Sequence, residues 1–163
     1  MSAVGIQSGA VYRLVNAKAG NVLDLSGGDN ESIIGYDWHG GDNQKWELQD
    51  VGDNEWVFRN VGTGKYLHID SYAKNGTPVI ASESKTGFNI WPDEEDASTY
   101  RVFVPNTRLN FDLSDHGNPT PGTVSFGRLS RIERVIDLGA FVQLITLWDK
   151  WSGRNQCWRF EQV

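Results

Sequence analysis

An internal repeat is the feature that most constrains the fold of this chain. Residues 32–46 (SIIGYDWHGGDNQKW) and 144–158 (LITLWDKWSGRNQCW) align without a gap, and six of the fifteen positions are identical. Self-similarity over tens of residues indicates that one supersecondary unit is used again to complete a shared core. The repeat also suggests that a ligand pocket is used more than once.

Three segments are predicted to be the first strand of a unit, because each is rich in β-forming residues and ends at an Asn suited to a turn. They are Val11 to Asn16, Trp56 to Asn60 and Tyr100 to Asn106, with the asparagines 44 and 46 residues apart. Further short strands follow in each unit, before a closing segment that ends in Trp46, Trp91 or Trp158.

The spacing predicts one domain, residues 1–163, made of units at approximately 9–52, 53–97 and 98–163. The third unit holds an insertion of about 21 residues. Four short strands per unit and no helical period predict an all-β, pseudo-threefold fold of about 12 strands closed as a barrel. The closing tryptophans are expected to lie in the core.

Composition and charge narrow the classes of partner. The formal net charge of −6 argues against a nucleic-acid partner. No segment is apolar and long enough for membrane insertion. The single cysteine, Cys157, and the lack of a recognisable signal peptide favour a cytoplasmic protein, with non-classical release as an option.

Two charged runs stand out locally. The acidic block, Asp93 to Asp96, is expected to be a solvated loop, and Arg128, Arg131 and Arg134 form a basic stretch that could be an interaction surface.

Together these patterns resemble the ricin-B-like (R-type) β-trefoil lectins, especially the small single-domain fungal type known from mushrooms. The residues that carry the resemblance are the two Asn-Gln-x-Trp closures, Asn43 to Trp46 and Asn155 to Trp158. The Asp-Leu strand with its glycines, Leu23 to Gly28, supports them, followed by Ile33 to Tyr36. The resemblance is specific in the first unit, partial in the third and weak in the second. It implies a β-trefoil that binds galactose or N-acetylgalactosamine on glycoproteins or glycolipids.

In that family an Asp on the second strand accepts hydrogen bonds from the sugar, an aromatic side chain stacks on it, and the Asn of the closure adds polar contacts. The resemblance therefore implies a first carbohydrate site at Asp24, Tyr36 and Asn43. Gly27 and Gly28 would let the ligand approach, and Trp38 and His39 could form its walls. An apolar sugar face and its hydroxyl rim require such an aromatic platform beside fixed polar groups.

The other two units depart from this pattern to different degrees. The second unit has His68 and Ser82 at the positions of Asp24 and Tyr36, and we expect no conventional sugar site there. A possible second carbohydrate site lies in the third unit at Trp148 and Asn155. Its acceptor is either Asp112, which follows the strand order, or Asp137, which has nearly the right spacing; the spacing slightly favours Asp137.

No sequence motif indicates catalysis, and neither a metal nor another cofactor is expected. The three histidines lack metal-ligand spacing, and paired catalytic carboxylates cannot be inferred from sequence separation. The leading hypothesis is a non-catalytic lectin, with a homodimer as an option. The alternatives are a β-trefoil protease inhibitor acting through a surface loop, such as the Arg128 to Arg134 stretch, or an accessory subunit with decayed sugar sites.

Overall fold

A computed structural model describes residues 5–117 and 143–163. The candidate acceptor Asp137 and the basic stretch at Arg128, Arg131 and Arg134 lie outside the described residues. Within these two ranges the chain forms twelve β-strands, a one-turn helix and two 3-10 turns. No helix in this part of the chain is long and apolar enough to cross a membrane.

The strands follow one another in groups of four, one group per unit. They are β1 Val11–Asn16, β2 Val22–Leu25, β3 Ile33–Tyr36, β4 Trp46–Gly52, β5 Glu55–Asn60, β6 Tyr66–His68, β7 Ile80–Ser82, β8 Phe88–Pro92, β9 Tyr100–Phe103, β10 Leu109–Leu113, β11 Gln143–Asp149 and β12 Trp158–Gln162. The helix α1 spans Ser114–Gly117, and the 3-10 turns span Asp42–Gln44 and Arg154–Gln156.

Six of the twelve strands close the barrel. Antiparallel pairing runs β1–β12–β9–β8–β5–β4 and returns from β4 to β1. The other six form the hairpins β2–β3, β6–β7 and β10–β11, which pair with one another through β3–β11 and two isolated bridges. This architecture confirms the all-β β-trefoil, although the barrel takes six strands rather than all twelve.

Equivalent positions of the three units fill the core in layers, which explains the sequence repeat physically. Leu14 and Phe58, each two residues before the Asn that ends its strand, and Val102 on β9 are fully buried. The indoles of Trp46 and Trp158 are also fully buried, and the indole N–H of Trp46 donates to the carbonyl of Leu23 at 3.0 Å. Burial of such large apolar groups with their polar atom satisfied is a main source of stability.

The second unit uses a different aromatic residue in this layer from the one that we predicted. Trp46 lies opposite Asn60, and Trp158 lies opposite Asn16. In the second unit, the register between β8 and β9 puts Phe88 at the equivalent position. Phe88 is fully buried and contacts Phe58 and Phe111, whereas Trp91 lies three residues further along β8 and is only partly buried. The prediction that Trp91 is the core tryptophan was wrong, because the closing segment lacks the usual pattern.

The repeated asparagine is a buried connector in two units only. Asn16 and Asn60 accept turn N–H groups on Oδ1, and their Nδ2 atoms donate to the carbonyls of Asn155 and Asn43. In the third unit Val104 holds the equivalent backbone bond, to Leu109. Asn106 lies in the following turn with φ 61°, so its assignment as the third equivalent was wrong.

A pair of substitutions tests the reassigned core position. We expect Phe88→Leu to destabilise the fold by about 1–2 kcal/mol, because the smaller side chain leaves part of a fully enclosed space unfilled. The matched change Trp91→Leu should change the free energy of unfolding by less than about 0.5 kcal/mol, because Trp91 is only partly buried. Urea unfolding of both variants measures the difference, and equal destabilisation would contradict the assignment.

Candidate functional site

The first-unit cluster lies where hairpin β2–β3 meets the loop before β4. Asp24 is on β2 opposite Ile34, and its side chain is almost completely buried. The Gln44 Nε2 group donates to Asp24 Oδ2 at 2.8 Å and to the Asp37 carbonyl at 2.7 Å. Gln44 Oε1 accepts the backbone N–H of His39 at 2.9 Å. The Gln of the Gln-x-Trp pattern therefore fixes both the carboxylate and the loop that faces it.

Burial changes the acidity of this carboxylate. Desolvation raises the pKa of Asp24 to about 6, although Gln44, His39 and Asn43 all favour the charged form. The imidazole Nε2 of His39 lies 3.8 Å from Asp24 Oδ2. A buried carboxylate whose partners do not fully offset its lost hydration is primed to accept hydrogen bonds from a ligand.

The predicted partners of Asp24 gather around it. The rings of Tyr36 and His39 meet edge to face at 6.2 Å between centroids, and Tyr36 is 50% exposed. Asn43 is anchored by donating Nδ2 to the Leu25 carbonyl at 3.1 Å, beside the carboxylate. A Cβ at Gly41 would lie 2.4 Å from His39 Cε1 and 2.5 Å from Asn43 Oδ1, so only glycine lets these two side chains come together.

The remaining predicted residues take peripheral positions. Gly27 and Gly28 are exposed at the start of the loop after β2, and a Cβ at Gly27 would meet open space. The indole of Trp38 instead lies under the guanidinium of Arg13, 4.8 Å from its ring centroid. Trp38 is thereby engaged with β1, and of the two predicted wall residues only His39 contacts the carboxylate.

In the third unit the structure places Asp112 at the position of Asp24. Asp112 lies opposite Thr146, two residues before Trp148, just as Asp24 lies opposite Ile34, two residues before Tyr36. Gln156 Nε2 donates to Asp112 Oδ2 at 2.9 Å and to the Asp149 carbonyl at 3.1 Å. The alternative Asp137, which the spacing favoured, lies outside the described residues. Because Asp112 takes the position of Asp24, the extra segment follows Asp112 in the chain.

The third-unit cluster also contains a residue that the sequence reasoning missed. Trp151 occupies the position of His39: its backbone N–H donates to Gln156 Oε1 at 3.1 Å, and its side chain hydrogen-bonds Asp112. Trp148 is 46% exposed and Trp151 41% exposed, so two indoles border this carboxylate. The gap-free alignment of 32–46 with 144–158 already paired Trp151 with His39 and could have revealed it.

The Asn of this second cluster is more buried than the Asn of the first. Asn155 is 1% exposed, donates Nδ2 to the Leu113 carbonyl, and finds no donor for Oδ1 among the described residues. Gly117 packs on Asn155, where a Cβ would lie 2.7 Å from the Asn155 Cβ. Desolvation also raises the pKa of Asp112, although hydrogen bonds from Gln156, Trp151 and Asn155 favour its charged form. An unpaired buried acceptor beside a desolvated carboxylate is suited to a ligand that brings hydroxyl donors.

The second unit carries different chemistry at the same place. His68 lies opposite Ile80 and Ser82 opposite Tyr66, so both occupy the positions expected from the sequence. His68 Nδ1 is 2.9 Å from Thr86 Oγ1, the contact that replaces the Asp24–Gln44 bond. The position of Asp24 thus has no carboxylate here, and the position of Tyr36 has no ring.

The acidic block is not merely the solvated loop that we predicted. Asp93 is buried, and Arg101 Nε donates to its Oδ1 at 2.6 Å. Burial opposes the charge on Asp93, but the hydrogen bond and charge of Arg101 outweigh it and lower the pKa of that carboxyl. Sequence periodicity missed this pair because Asp93 lies in the irregular loop after β8, whereas Arg101 lies on β9.

Metal binding finds no support in the described residues, where no three His, Cys, Asp or Glu side chains come together as ligands. Cys157 is buried, and burial raises the pKa of its thiol. These clusters therefore present hydrogen-bonding polar groups and exposed rings to a ligand.

Comparison with known proteins agrees with this geometry. Residues 4–82 match a family model described as ricin-type beta-trefoil lectin domain-like. The structure of a Macrolepiota procera ricin B-like lectin in complex with lactose is 35% identical, with a TM-score of 0.83, and the match covers 98% of this chain and all of that one. No curated protein sequence shows a significant match.

Two further structures show similarity in the fold alone. The Rhizoctonia solani agglutinin is 24% identical with a TM-score of 0.75, and the match covers 98% of this chain and 99% of that one. The designed threefold symmetric protein ThreeFoil is 20% identical with a TM-score of 0.74, covering 94% and 99%.

Proposed function

This chain belongs to the ricin B-like β-trefoil lectin family, and on that premise we propose that it binds glycans ending in galactose or N-acetylgalactosamine. The first-unit cluster, Asp24 with Tyr36, His39 and Asn43, is the main site. The observation that carries the proposal is the buried Asp24 carboxylate, held by Gln44 at 2.8 Å beside an exposed aromatic ring.

The chemistry of galactose suits this arrangement. Its axial 4-hydroxyl leaves a patch of C–H groups on one face of the sugar, which can pack on the exposed ring of Tyr36. The hydroxyl groups on the rim then reach a charged acceptor, Asp24, which gives stronger bonds than a neutral one. The similar Macrolepiota procera lectin was solved with lactose, a disaccharide that ends in galactose, and this supports the same sugar class here.

The third-unit cluster is proposed as a second site of the same type. It has the carboxylate Asp112 in the equivalent register, and two exposed indoles where the first unit has Tyr36 and His39. Two sites on one chain would let the protein cross-link glycans, so that weak single-site binding gains avidity.

We propose that the sugar is bound without being cleaved. Glycosidases generally pair two carboxyl groups across the scissile bond. The side chains that contact Asp24 in the described structure are instead two amides and an imidazole. This set can hold a sugar but offers no second acid.

Calorimetric titration tests the proposal directly. Lactose and N-acetylgalactosamine are expected to bind with dissociation constants of about 0.1–1 mM per site, whereas glucose, the C4 epimer of galactose, should bind at least about tenfold more weakly. Tyr36→Ala should weaken lactose binding about tenfold through loss of the aromatic platform. Matched Tyr72→Ala, at a ring that is 89% exposed on the second unit, serves as the control. Equal binding of lactose and glucose would refute the proposed specificity.

A further inference from the structure

We propose that the buried pair Asp93–Arg101 positions Gln156, and through it the Asp112 acceptor, so that residues of the acidic block and of β9 set the geometry of the third-unit cluster. The role in sugar binding rests on the proposed function. Asp93 and Arg101 are positioning residues, since they act on the ligand-facing groups through the Gln156 amide.

The contacts form one continuous chain of hydrogen bonds. Arg101 Nε donates to Asp93 Oδ1 at 2.6 Å, and Arg101 Nη1 donates to Gln156 Oε1 at 2.9 Å. Gln156 Nε2 then donates to Asp112 Oδ2 at 2.9 Å. All four side chains are buried, with Gln156 fully enclosed. Water therefore competes little with these bonds, which makes each of them directional and strong.

The carbonyl end of Gln156 is more tightly held than that of Gln44. Gln156 Oε1 accepts from both Arg101 Nη1 and the backbone N–H of Trp151 at 3.1 Å. With two donors at its oxygen, the amide can present only Nε2 to Asp112. The guanidinium charge also polarises the amide and strengthens its bond to the carboxylate.

The first unit uses the equivalent arginine differently. Arg13, three residues before Asn16, corresponds in register to Arg101, three residues before Val104. Its guanidinium donates to Glu161 at 2.8 Å and lies over Trp38, while Gln44 Oε1 accepts the His39 N–H. The two clusters have the same Asp, Gln and Asn, but an arginine donates to the Gln oxygen only in the third unit.

Two other residues of the acidic block form ion pairs with the loop between β11 and β12. Lys150 Nζ lies 3.1 Å from Glu94, and Arg154 Nη2 lies 3.1 Å from Asp96. These pairs are solvent-exposed and contribute little individually. The buried pair is therefore the part of the block that should control Asp112.

The sugar-binding test isolates each cluster with one background substitution. In an Asp24→Asn background, which leaves the third-unit cluster as the intact site, adding Arg101→Met is expected to weaken lactose binding about tenfold. In an Asp112→Asn background, which leaves the first-unit cluster, the same change should alter affinity by less than about twofold. Arg59→Met, at a partly exposed arginine of the second unit, is the matched control. Unchanged third-unit affinity, or an equal loss at both clusters, overturns the inference.

A ligand-free measurement separates this inference from the proposed function. Carbon-13 NMR titration of the carboxyl groups should show that Arg101→Met moves the titration midpoint of Asp112 to higher pH, because Gln156 loses a donor that holds it and its hydrogen bond to the charged carboxylate weakens. His116, which also favours the charged form of Asp112, is unchanged in this variant, and the midpoint of Asp24 should not move. If both midpoints stay fixed, the positioning role is wrong whether or not sugar binds. If the midpoint moves but the Asp24→Asn protein binds no lactose, the second sugar site fails and the positioning role stands.

A second variant covers a failure of Arg101→Met to fold. That change leaves Asp93 buried without its counter-charge, whereas Asp93→Asn with Arg101→Met removes both charges and is expected to fold. The double variant should show the same selective loss at the third-unit cluster. Full third-unit affinity in that folded protein would overturn the inference.

Discussion

Asp24→Asn is expected to weaken lactose binding at the first-unit cluster by about 10- to 100-fold. The amide keeps an acceptor oxygen for Gln44 but replaces a charged acceptor with a neutral one. Charge-assisted hydrogen bonds exceed neutral ones by about 1–2 kcal/mol each. Calorimetric titration with lactose should show this loss of affinity. The titration uses an Asp112→Asn background, so that only the first-unit cluster is compared.

Asp53→Asn is the matched control for this substitution. Asp53 is exposed in the turn between β4 and β5, with φ 54°, a backbone conformation that Asn tolerates well. It carries the same change of charge at a site remote from the cluster in the chain. If Asp24→Asn and Asp53→Asn bind lactose equally well, Asp24 is not the acceptor.

The same Asp24→Asn protein is expected to be more stable than the original at pH 8, by up to about 3 kcal/mol. Desolvation raises the pKa of Asp24 from 3.8 to about 6, so ionising this group favours the unfolded chain. That destabilisation is fully present above about pH 6 and disappears as the pH falls towards 3.8. The stability gain from Asn should therefore be large at pH 8 and near zero at pH 4.

Urea unfolding of both proteins at pH 4, 6 and 8 measures this dependence. In a chain of this size a gain of about 3 kcal/mol corresponds to a rise in Tm of about 6–12 °C. An amide that finds no partner for its own N–H groups would lower the gain at every pH by the same amount, without changing its slope. A stability difference that is independent of pH would contradict the raised pKa of Asp24.

Together the two outcomes would define Asp24 as a residue that destabilises the fold in order to bind ligand. Its hydrogen bonds to Gln44 and Asn43 reduce the energetic penalty of burial without abolishing it. Sugar hydroxyl groups would supply the missing hydrogen bonds. Ligand binding should then be weaker below pH 6, where the carboxyl takes up a proton.

The repeat and the Gln-x-Trp closures carried enough information to predict the β-trefoil and most of the first-unit cluster. The reason is that Asp24, Gln44 and Trp46 lie within one unit, where strand alternation determines which side chains share a face. The same logic located His68 and Ser82 correctly in the second unit. It was wrong about Trp91, because a degenerate closure offers no register, and only the strand pairing identified Phe88.

The sequence by itself therefore determined the architecture, the repeated core layers and the candidate site residues that belong to a single unit. Tertiary structure alone decided that Asp112 occupies the position equivalent to Asp24 and that Trp38 is engaged by Arg13. It alone also revealed the Asp93–Arg101–Gln156 chain. Local periodicity reports which face a residue occupies, whereas contacts between strands far apart in the chain depend on barrel closure and register, which no local pattern encodes.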